Sequence, residues 1–253
     1  MKKIIKSAWA VLLAFAATVA VQAAEPVKIT SPNNKISVDL KTGKGEFGWT
    51  VSKDGQTVYS MEDVWLSING KTLGGDAAVK NVKTKTVNET FKPVVPLKFS
   101  TIENNYTEAT VNFGAYTVEL RVMDNAVAYR FVTKMKGEVI VDNESFTMIP
   151  ESGYTTHFQP CSKPDFNTSF EERYQHMETE KWVNEWANNR KQATVPMLLS
   201  GANDTQLLIG ESDVDDYPRV FLRGNKKGIT TVFPKAPLGW EPRGDRSWTI
   251  TEE

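Results

Sequence analysis

The sequence has only one cysteine, Cys161, among its 253 residues. One thiol cannot form a disulfide within the chain, so the stability of the fold must come from packing rather than from cross-links. We interpret Cys161 as a small apolar core residue. A nucleophilic role is the alternative, but the two histidines, His157 and His176, lie in no sequence context typical of a catalytic triad.

The chain also lacks an excess of charge of either sign. Thirty lysines and arginines face 31 aspartates and glutamates, a formal net charge of −1. This balance indicates neither a nucleic-acid partner nor an anionic membrane surface. Motifs for zinc ligation, for a phosphate-binding glycine loop and for a nucleophile elbow are absent as well. Hydrophobic residues make up 40% of the chain, enough for the core of one large β domain or two small ones.

Residues 1–24 have the pattern of a secretory signal peptide. Three lysines within the first six residues precede an apolar run over 8–21, and the small pair Ala23-Ala24 ends the segment. The run is shorter than the roughly 20 residues of a transmembrane span. We therefore expect an exported protein, located in the periplasm or outside the cell, with no membrane span in the mature chain. A retained membrane anchor is the alternative.

The mature part is rich in strand and turn patterns. Apolar and polar residues alternate over 36–40 and 64–68, which is the period of half-buried strands. Asp54-Gly55 and Asn69-Gly70 are hairpin signals because glycine accepts positive φ. The alternation changes phase close to Gly114, which predicts a bulge or bend there. Further strands are predicted around 118–122, 126–132, 207–209, 220–222 and 229–233.

The spacing of these strands favours a sandwich of antiparallel sheets. No β–α alternation is present, so a parallel sheet or barrel is not expected within these residues. Asn-X-Ser/Thr sequences are interpreted as turns. They begin at Asn88, Asn105 and Asn143.

One helix is predicted, from Glu171 to about Arg190. Ser169 and Glu172 have capping-box spacing, so Glu172 would lie in the first turn of this helix. Glu171 is then left without a local role, and a carboxylate is a hard oxygen ligand suited to calcium. The alternative is an ordinary exposed carboxylate.

Two further groups allow more than one interpretation. Trp182 and Trp186 are four residues apart and would share a helix face, either buried in the core or exposed as a stacking platform for a sugar ring. An acidic cluster over 211–218 follows an apolar strand. It is either a solvated loop or a loop that binds a cation.

Several short motifs follow one another along the mature chain in a specific order. They are SPNNKI at 31–36, NETFKP at 88–93, NNY at 104–106, RVMDNAVAYRF at 121–131, SFEERY at 169–174, VPM at 195–197, IGES at 209–212 and DYP at 216–218. Each is weak alone, but their order and spacing resemble the N-terminal domain of glycoside hydrolase family 97. The resemblance covers nearly the whole mature chain.

The resemblance implies a mainly β fold, an antiparallel β-supersandwich similar to galactose-mutarotase-like domains, with few short helices. In that family of α-glucosidases and α-galactosidases this domain packs on a (β/α)8 barrel that supplies the catalytic groups. A calcium ion lies in the active site. One of its ligands comes from the N-terminal domain and matches Glu171 here, with the neighbouring Glu172 as the alternative.

From this resemblance we expect residues 25–253 to form a single β-sandwich domain without catalytic residues. Glycoside hydrolysis needs two carboxylates about 5 to 9.5 Å apart, and the family takes both from a barrel that this chain does not include. We expect part of a calcium-dependent α-glycosidase that acts on oligosaccharides or polysaccharide-derived α-glycosides. A stand-alone carbohydrate-binding module and a purely structural domain are the alternatives. No substrate-binding residue is assigned.

Overall fold

A computed structural model describes residues 27–252, except 42, 44, 46, 76–77, 162–170, 189–190, 203, 213, 216 and 236. The predicted signal peptide and the capping residue Ser169 lie outside the described residues. Antiparallel strands dominate the described part, together with one short helix. No helix among these residues has the length and apolar character needed to cross a membrane.

The elements follow one another in a long series of strands. The first nine are β1 (Val27–Thr30), β2 (Ile36–Lys41), β3 (Gly48–Lys53), β4 (Gln56–Ile68), β5 (Lys71–Leu73), β6 (Asn81–Phe91), β7 (Ile102–Asn112), β8 (Tyr116–Met123) and β9 (Val127–Thr133). Next come β10 (Val141–Pro150), β11 (Thr155–Phe158), β12 (Pro160–Cys161), β13 (Gln175–Glu178), α1 (Thr179–Glu185), β14 (Gln192–Thr194), β15 (Met197–Ser200) and β16 (Gln206–Ile209). The last four are β17 (Phe221–Gly224), β18 (Ile229–Val232), β19 (Gly239–Pro242) and β20 (Trp248–Glu252).

These strands form three larger sheets and one hairpin. The large sheet has ten strands in the order β1-β2-β3-β4-β10-β18-β17-β14-β12, with β5 paired to β4. The meander sheet has the order β6-β7-β8-β9, and the third sheet has the order β13-β11-β15-β16. Strands β19 and β20 pair only with each other.

The core lies where the large sheet faces the two smaller ones. Trp49 on β3 contacts Tyr129 on β9 edge-on, with ring centroids 5.2 Å apart. On the third sheet, Phe158 and Leu199 are fully buried in the same hydrophobic cluster as Leu222 of the large sheet. The strict alternation of β8, in which every second residue is buried, follows from this one-sided packing. The predicted antiparallel β-sandwich is confirmed.

The turns predicted from glycine pairs are present. Asp54 and Gly55 have φ of 50° and 80° and join β3 to β4, and Asn69-Gly70 joins β4 to β5 in the same way. Positive φ at both central residues matches the right-handed twist of the flanking strands. Of the bulge or bend predicted near Gly114, the structure has the bend, which joins β7 to β8. Gly114 has φ of 100°, and its amide donates to Oδ1 of Asn112 at 2.7 Å.

Two predictions of local structure are wrong. The Asn-X-Ser/Thr sequences that were interpreted as turns lie inside strands β6, β7 and β10. Asn88 and Asn105 are cross-strand partners. Pairing with a neighbouring strand outweighs the local preference of asparagine for turns, because strand propensity depends strongly on context.

The helix predicted from Glu171 to Arg190 is much shorter, from Thr179 to Glu185. The four residues before it form β13, which pairs with β11 of the third sheet. Glu172 therefore precedes a strand and not a helix. The actual N-cap is Glu178, which makes no side-chain capping hydrogen bond.

Candidate functional site

The segment that carries Glu171 lies at the start of the third sheet. Glu171 and Glu172 are both exposed and come just before β13, whose pairing with β11 determines where the segment lies. The side-chain amide of Gln159 donates to the backbone carbonyl of Glu172 at 3.1 Å. Gln159 is itself joined to β14, because its backbone carbonyl oxygen accepts a hydrogen bond from the backbone amide of Thr194 at 3.0 Å. The backbone around Glu171 is therefore attached to ordered strands.

These residues do not make a complete calcium site. Calcium takes six to eight oxygen ligands, and a single glutamate supplies at most two of them. Among the residues that the structure describes, no group of three or more histidine, cysteine, aspartate or glutamate side chains could hold a metal ion. Glu171 has the chemistry of one ligand in a site that other groups would have to complete.

Trp182 and Trp186 are buried, which contradicts the alternative interpretation of an exposed sugar platform. Trp182 is 0% exposed and Trp186 is 5% exposed. Their rings are stacked with centroids 5.8 Å apart, and Phe158 contacts each of them edge-on. The pair attaches α1 to the strands. The interpretation as core residues is confirmed.

The acidic cluster over 211–218 is partly described, since positions 213 and 216 lie outside the described residues. The exposed Glu211 accepts the Val220 amide with both carboxylate oxygens, at 3.1 and 3.2 Å. Although the residue as a whole is exposed, the protein atoms around its carboxylate exclude water and raise the pKa of the Glu211 carboxyl, and the Val220 amide opposes this effect. Glu211 therefore closes the loop 211–220, and this contact favours a structural role for the described part of the acidic cluster.

A polar cluster that sequence reasoning missed lies beside this loop. Glu144 on β10 accepts from the hydroxyl of Tyr217 at 2.6 Å and from the hydroxyl of Tyr129 at 3.1 Å. Burial and the Glu144 carboxylate raise the pKa of both phenols, so both remain protonated donors. The cluster links β9, β10 and the loop 211–220. Asn143-Glu144-Ser145 resembled a turn in the sequence, and no local pattern indicated these two distant partners.

Cys161 and the histidines form no catalytic group in the described structure. Cys161 is fully buried, and its sulfur accepts from the side-chain amide of Gln192 at 3.9 Å, which agrees with the interpretation as a core residue. His157 and His176 are cross-strand partners on β11 and β13, with ring centroids 6.1 Å apart.

Comparison with known proteins agrees with this architecture. In solved structures, the chain is similar to a glycoside hydrolase family 97 enzyme from Pseudoalteromonas sp. strain K8 in complex with acarbose. The TM-score is 0.67 at 14% identity, and the match covers 82% of this chain and 32% of that one. A β-arabinopyranosidase structure matches with a TM-score of 0.69 at 19% identity, covering 85% of this chain and 35% of that one.

Among curated proteins, the chain is 21% identical over 223 residues to a retaining α-galactosidase from Bacteroides thetaiotaomicron. That match covers 85% of this chain and 33% of the relative, so the chain spans about a third of the length of this relative. The family model described as glycosyl-hydrolase 97 N-terminal matches residues 29–248. The chain therefore belongs to the glycosyl-hydrolase 97 N-terminal family.

Proposed function

We propose that this chain is the N-terminal domain of an exported, calcium-dependent α-glycosidase and that it supports carbohydrate binding at the active site. The observation that carries the proposal is the family match over 29–248. The catalytic carboxylates would come from a (β/α)8 barrel outside these 253 residues. The substrates would be oligosaccharides or polysaccharide-derived α-glycosides, in keeping with the retaining α-galactosidase named above.

Glu171 is the proposed contribution of this domain to the metal site. Its carboxylate is exposed, and the neighbouring backbone is attached to β11 and β14 through Gln159. An exposed ligand on an ordered backbone can meet a metal ion that a second domain brings to the same surface. Calcium, when bound, would supply positive charge next to the sugar. Glu172 is the alternative ligand, because it is adjacent and also exposed.

Export is proposed from the leader pattern of residues 1–24. The prediction is a mature N-terminus near Ala24 or Glu25 and recovery of the protein from the periplasm or the medium. N-terminal sequencing of the protein from fractionated cells tests both. A full-length chain retained in the cytoplasm would refute this part of the proposal.

The enzymatic part is tested on the product of the natural gene, including whatever coding sequence follows the codon for Glu253. Its hydrolysis of α-galactosides and α-glucosides is measured with calcium and after chelation. We expect activity that chelation reduces, and we expect Glu171→Gln to increase the calcium concentration needed for half-maximal rate. Glu172→Gln is the matched control, because it removes one carboxylate from the next position.

Each result has a separate meaning. If Glu172→Gln changes the calcium dependence and Glu171→Gln does not, Glu172 is the ligand. If neither variant changes it, the domain contributes no glutamate from this segment to the metal site. If no hydrolysis occurs and no barrel is encoded, the proposal of a glycosidase domain fails. The alternative of a stand-alone sugar-binding module has lost its main support, because Trp182 and Trp186 are buried.

A further inference from the structure

An open groove of about 400 Å³ lies beside the C-terminal end of α1, where β17 and β18 meet residues 187–188. Two of its lining residues are cationic, Arg223 on β17 and Lys226 in the following turn. None of the described residues that line it carries a carboxylate. The remaining polar groups are amides and hydroxyls, including those of Asn188 and Thr230. The groove therefore combines two cationic residues with a lining whose exposed surface is mostly apolar.

Arg223 is held in this groove with little compensation for its charge. It is half-buried and lies opposite Thr230 in the β17–β18 pair. One terminal nitrogen donates to Oε1 of Gln192 at 3.4 Å, a long hydrogen bond to a neutral amide. Its Nε is buried and has no hydrogen-bond partner in the part of the chain that the structure describes. Burial also lowers the pKa of the guanidinium.

A half-buried guanidinium without a carboxylate is unfavourable for the folded chain. Removing a cation from water has a large desolvation cost, which a paired anion normally offsets. Two other arginines of the described chain have such a partner: Arg121 is paired with Glu108 at 3.2 Å, and Arg130 with Glu119 at 2.8 Å. Arg223 is the exception among these three, and it faces a groove. A cation without a carboxylate partner at an open groove can receive the opposite charge from a ligand.

We propose that this groove binds an oxyanion carried by a sugar residue, either the carboxylate of a uronic acid or a sulfate ester. Because Nε is buried, a two-point contact with either group would come from the two terminal nitrogens of Arg223, and Lys226 adds a second positive charge. The hydroxyls of Thr230 and Thr231 donate to the backbone carbonyls of Phe146 and Glu144, and their oxygens can still accept a hydrogen bond from a sugar hydroxyl. The sugar part of this inference rests on the proposed function. The oxyanion part rests on the groove itself.

The test is a calorimetric titration of the full chain with three sugars: glucuronate, glucose 6-sulfate and glucose. At least one charged sugar is expected to bind about tenfold or more tightly than glucose, because charge-assisted hydrogen bonds contribute about 1.4 kcal/mol or more, which corresponds to a factor of ten. Whichever charged sugar binds more tightly identifies the oxyanion. Arg223→Gln is expected to remove this preference. Arg130→Gln, which changes an exposed arginine of the meander sheet, is the matched control and is expected to keep it.

A second readout separates ligand binding from a structural role. Arg223→Met is expected to keep or raise the midpoint of thermal unfolding, because replacing an uncompensated buried charge by an apolar side chain is often neutral or stabilising. The preferred charged sugar should raise the midpoint of the unmodified chain and not that of the variant. A lowered midpoint in the sugar-free variant would show that Arg223 has a structural role and would overturn the proposal.

Other outcomes also overturn it. Equal affinity for glucose and both charged sugars, or an Arg223→Gln variant that keeps the preference, would exclude an oxyanion site. Inorganic sulfate that binds as tightly as the preferred sugar would exclude recognition of a sugar. Hydrolysis by the natural gene product is measured independently. If the natural gene product hydrolyses glycosides but the chain binds no charged sugar, only this inference is refuted. If the chain binds a charged sugar but no hydrolysis occurs, only the proposed function is refuted.

Discussion

The buried tryptophan pair allows a sharp test of whether α1 is a core element or a sugar-binding surface. We predict that Trp182→Ala strongly destabilises the domain, whereas Trp182→Phe has a small effect. Trp182 is 0% exposed, stacks on Trp186 and receives the edge of Phe158. Its Nε1 is buried without a hydrogen-bond partner among the described residues. Replacement by phenylalanine therefore breaks no hydrogen bond with a described residue and keeps a ring in the cluster.

The magnitudes follow from this packing. Truncating a buried tryptophan to alanine removes its transfer free energy and leaves a cavity, which together reduce the free energy of unfolding by about 3–5 kcal/mol. The phenylalanine variant leaves a smaller void and should lose about 1 kcal/mol. Trp240 is 60% exposed on β19, so Trp240→Ala is the matched control with an expected change within about 0.5 kcal/mol.

Urea denaturation followed by far-ultraviolet circular dichroism measures all three variants. A loss below about 1 kcal/mol for Trp182→Ala would refute the assignment of this residue to the core. A sugar titration of the folded Trp182→Phe variant adds a second check. If binding of a neutral oligosaccharide is lost in this variant and kept in the unmodified chain, the ring has a role in sugar recognition that its burial does not explain.

The remaining predictions concern an ion pair, a glycine and an exposed loop. Glu108 is buried, and its hydrogen bond from Lys85 lowers the pKa of its carboxyl group. The ionised carboxylate therefore stabilises the folded chain fully above the ordinary glutamate pKa, and this contribution is lost as the pH falls below it. Glu108→Gln should reduce the free energy of unfolding at pH 7 by about 1–3 kcal/mol. The variant should also lose less stability toward acid pH than the unmodified chain, which urea denaturation between pH 3 and 7 measures. An unchanged dependence of stability on pH would contradict this. Gly224→Ala should lower the midpoint of thermal unfolding, because the added Cβ would lie 2.3 Å from the carbonyl oxygen of Val183 in α1. Gly210→Ala is the control, since a Cβ at that position has no atom within 4 Å. Equal midpoints for the two variants would refute the close approach at Gly224. Val94 is fully exposed in an apolar loop, and we expect this loop to promote concentration-dependent self-association. Val94→Ser should then reduce the association seen in sedimentation velocity without changing the midpoint of thermal unfolding. A monomeric chain, or association that the substitution does not reduce, would refute this role of the loop.

Much of the β architecture could be predicted from local patterns. The alternation over 36–40 corresponds to β2, in which Val38 and Leu40 are fully buried, because one face of the sheet packs on the core. Hairpins at Asp54-Gly55 and Asn69-Gly70 were also predictable. Their turns require positive φ at both positions, which is a property of the residues themselves. The strand β2 and these two turns depend on neighbouring residues in the sequence, and their predictions were correct.

The failures involve partners that are distant in the chain. Residues 175–178 become a strand because β11 provides a pairing edge, and this interaction shortens the predicted helix from its N-terminal side. Asn143-Glu144-Ser145 lies in β10 and not in a turn for the same reason. A local pattern cannot indicate that the edge of another strand is available.

In the candidate site, too, one residue was predicted from the sequence and the contacts between distant residues were not. The choice of Glu171 came from a family resemblance, and the structure adds that its carboxylate is exposed on a segment anchored through Gln159. Its role as a calcium ligand stays a prediction. The Glu144 cluster and the Arg223 groove were not predicted. Tyr217 is 73 residues from Glu144, and the groove joins the end of α1 to a hairpin more than 30 residues later.

The sequence by itself determined the mainly β character, the tight turns, the single thiol without a disulfide partner and the family. These properties depend on side-chain alternation, on the φ preferences of individual residues and on the order of motifs. Only the tertiary structure decided which tryptophans are buried, where the helix begins and which charges are paired. Burial and pairing depend on long-range strand contacts. In this fold, β10 lies between β4 and β18, which are far apart in the chain, and no local sequence pattern contains that information.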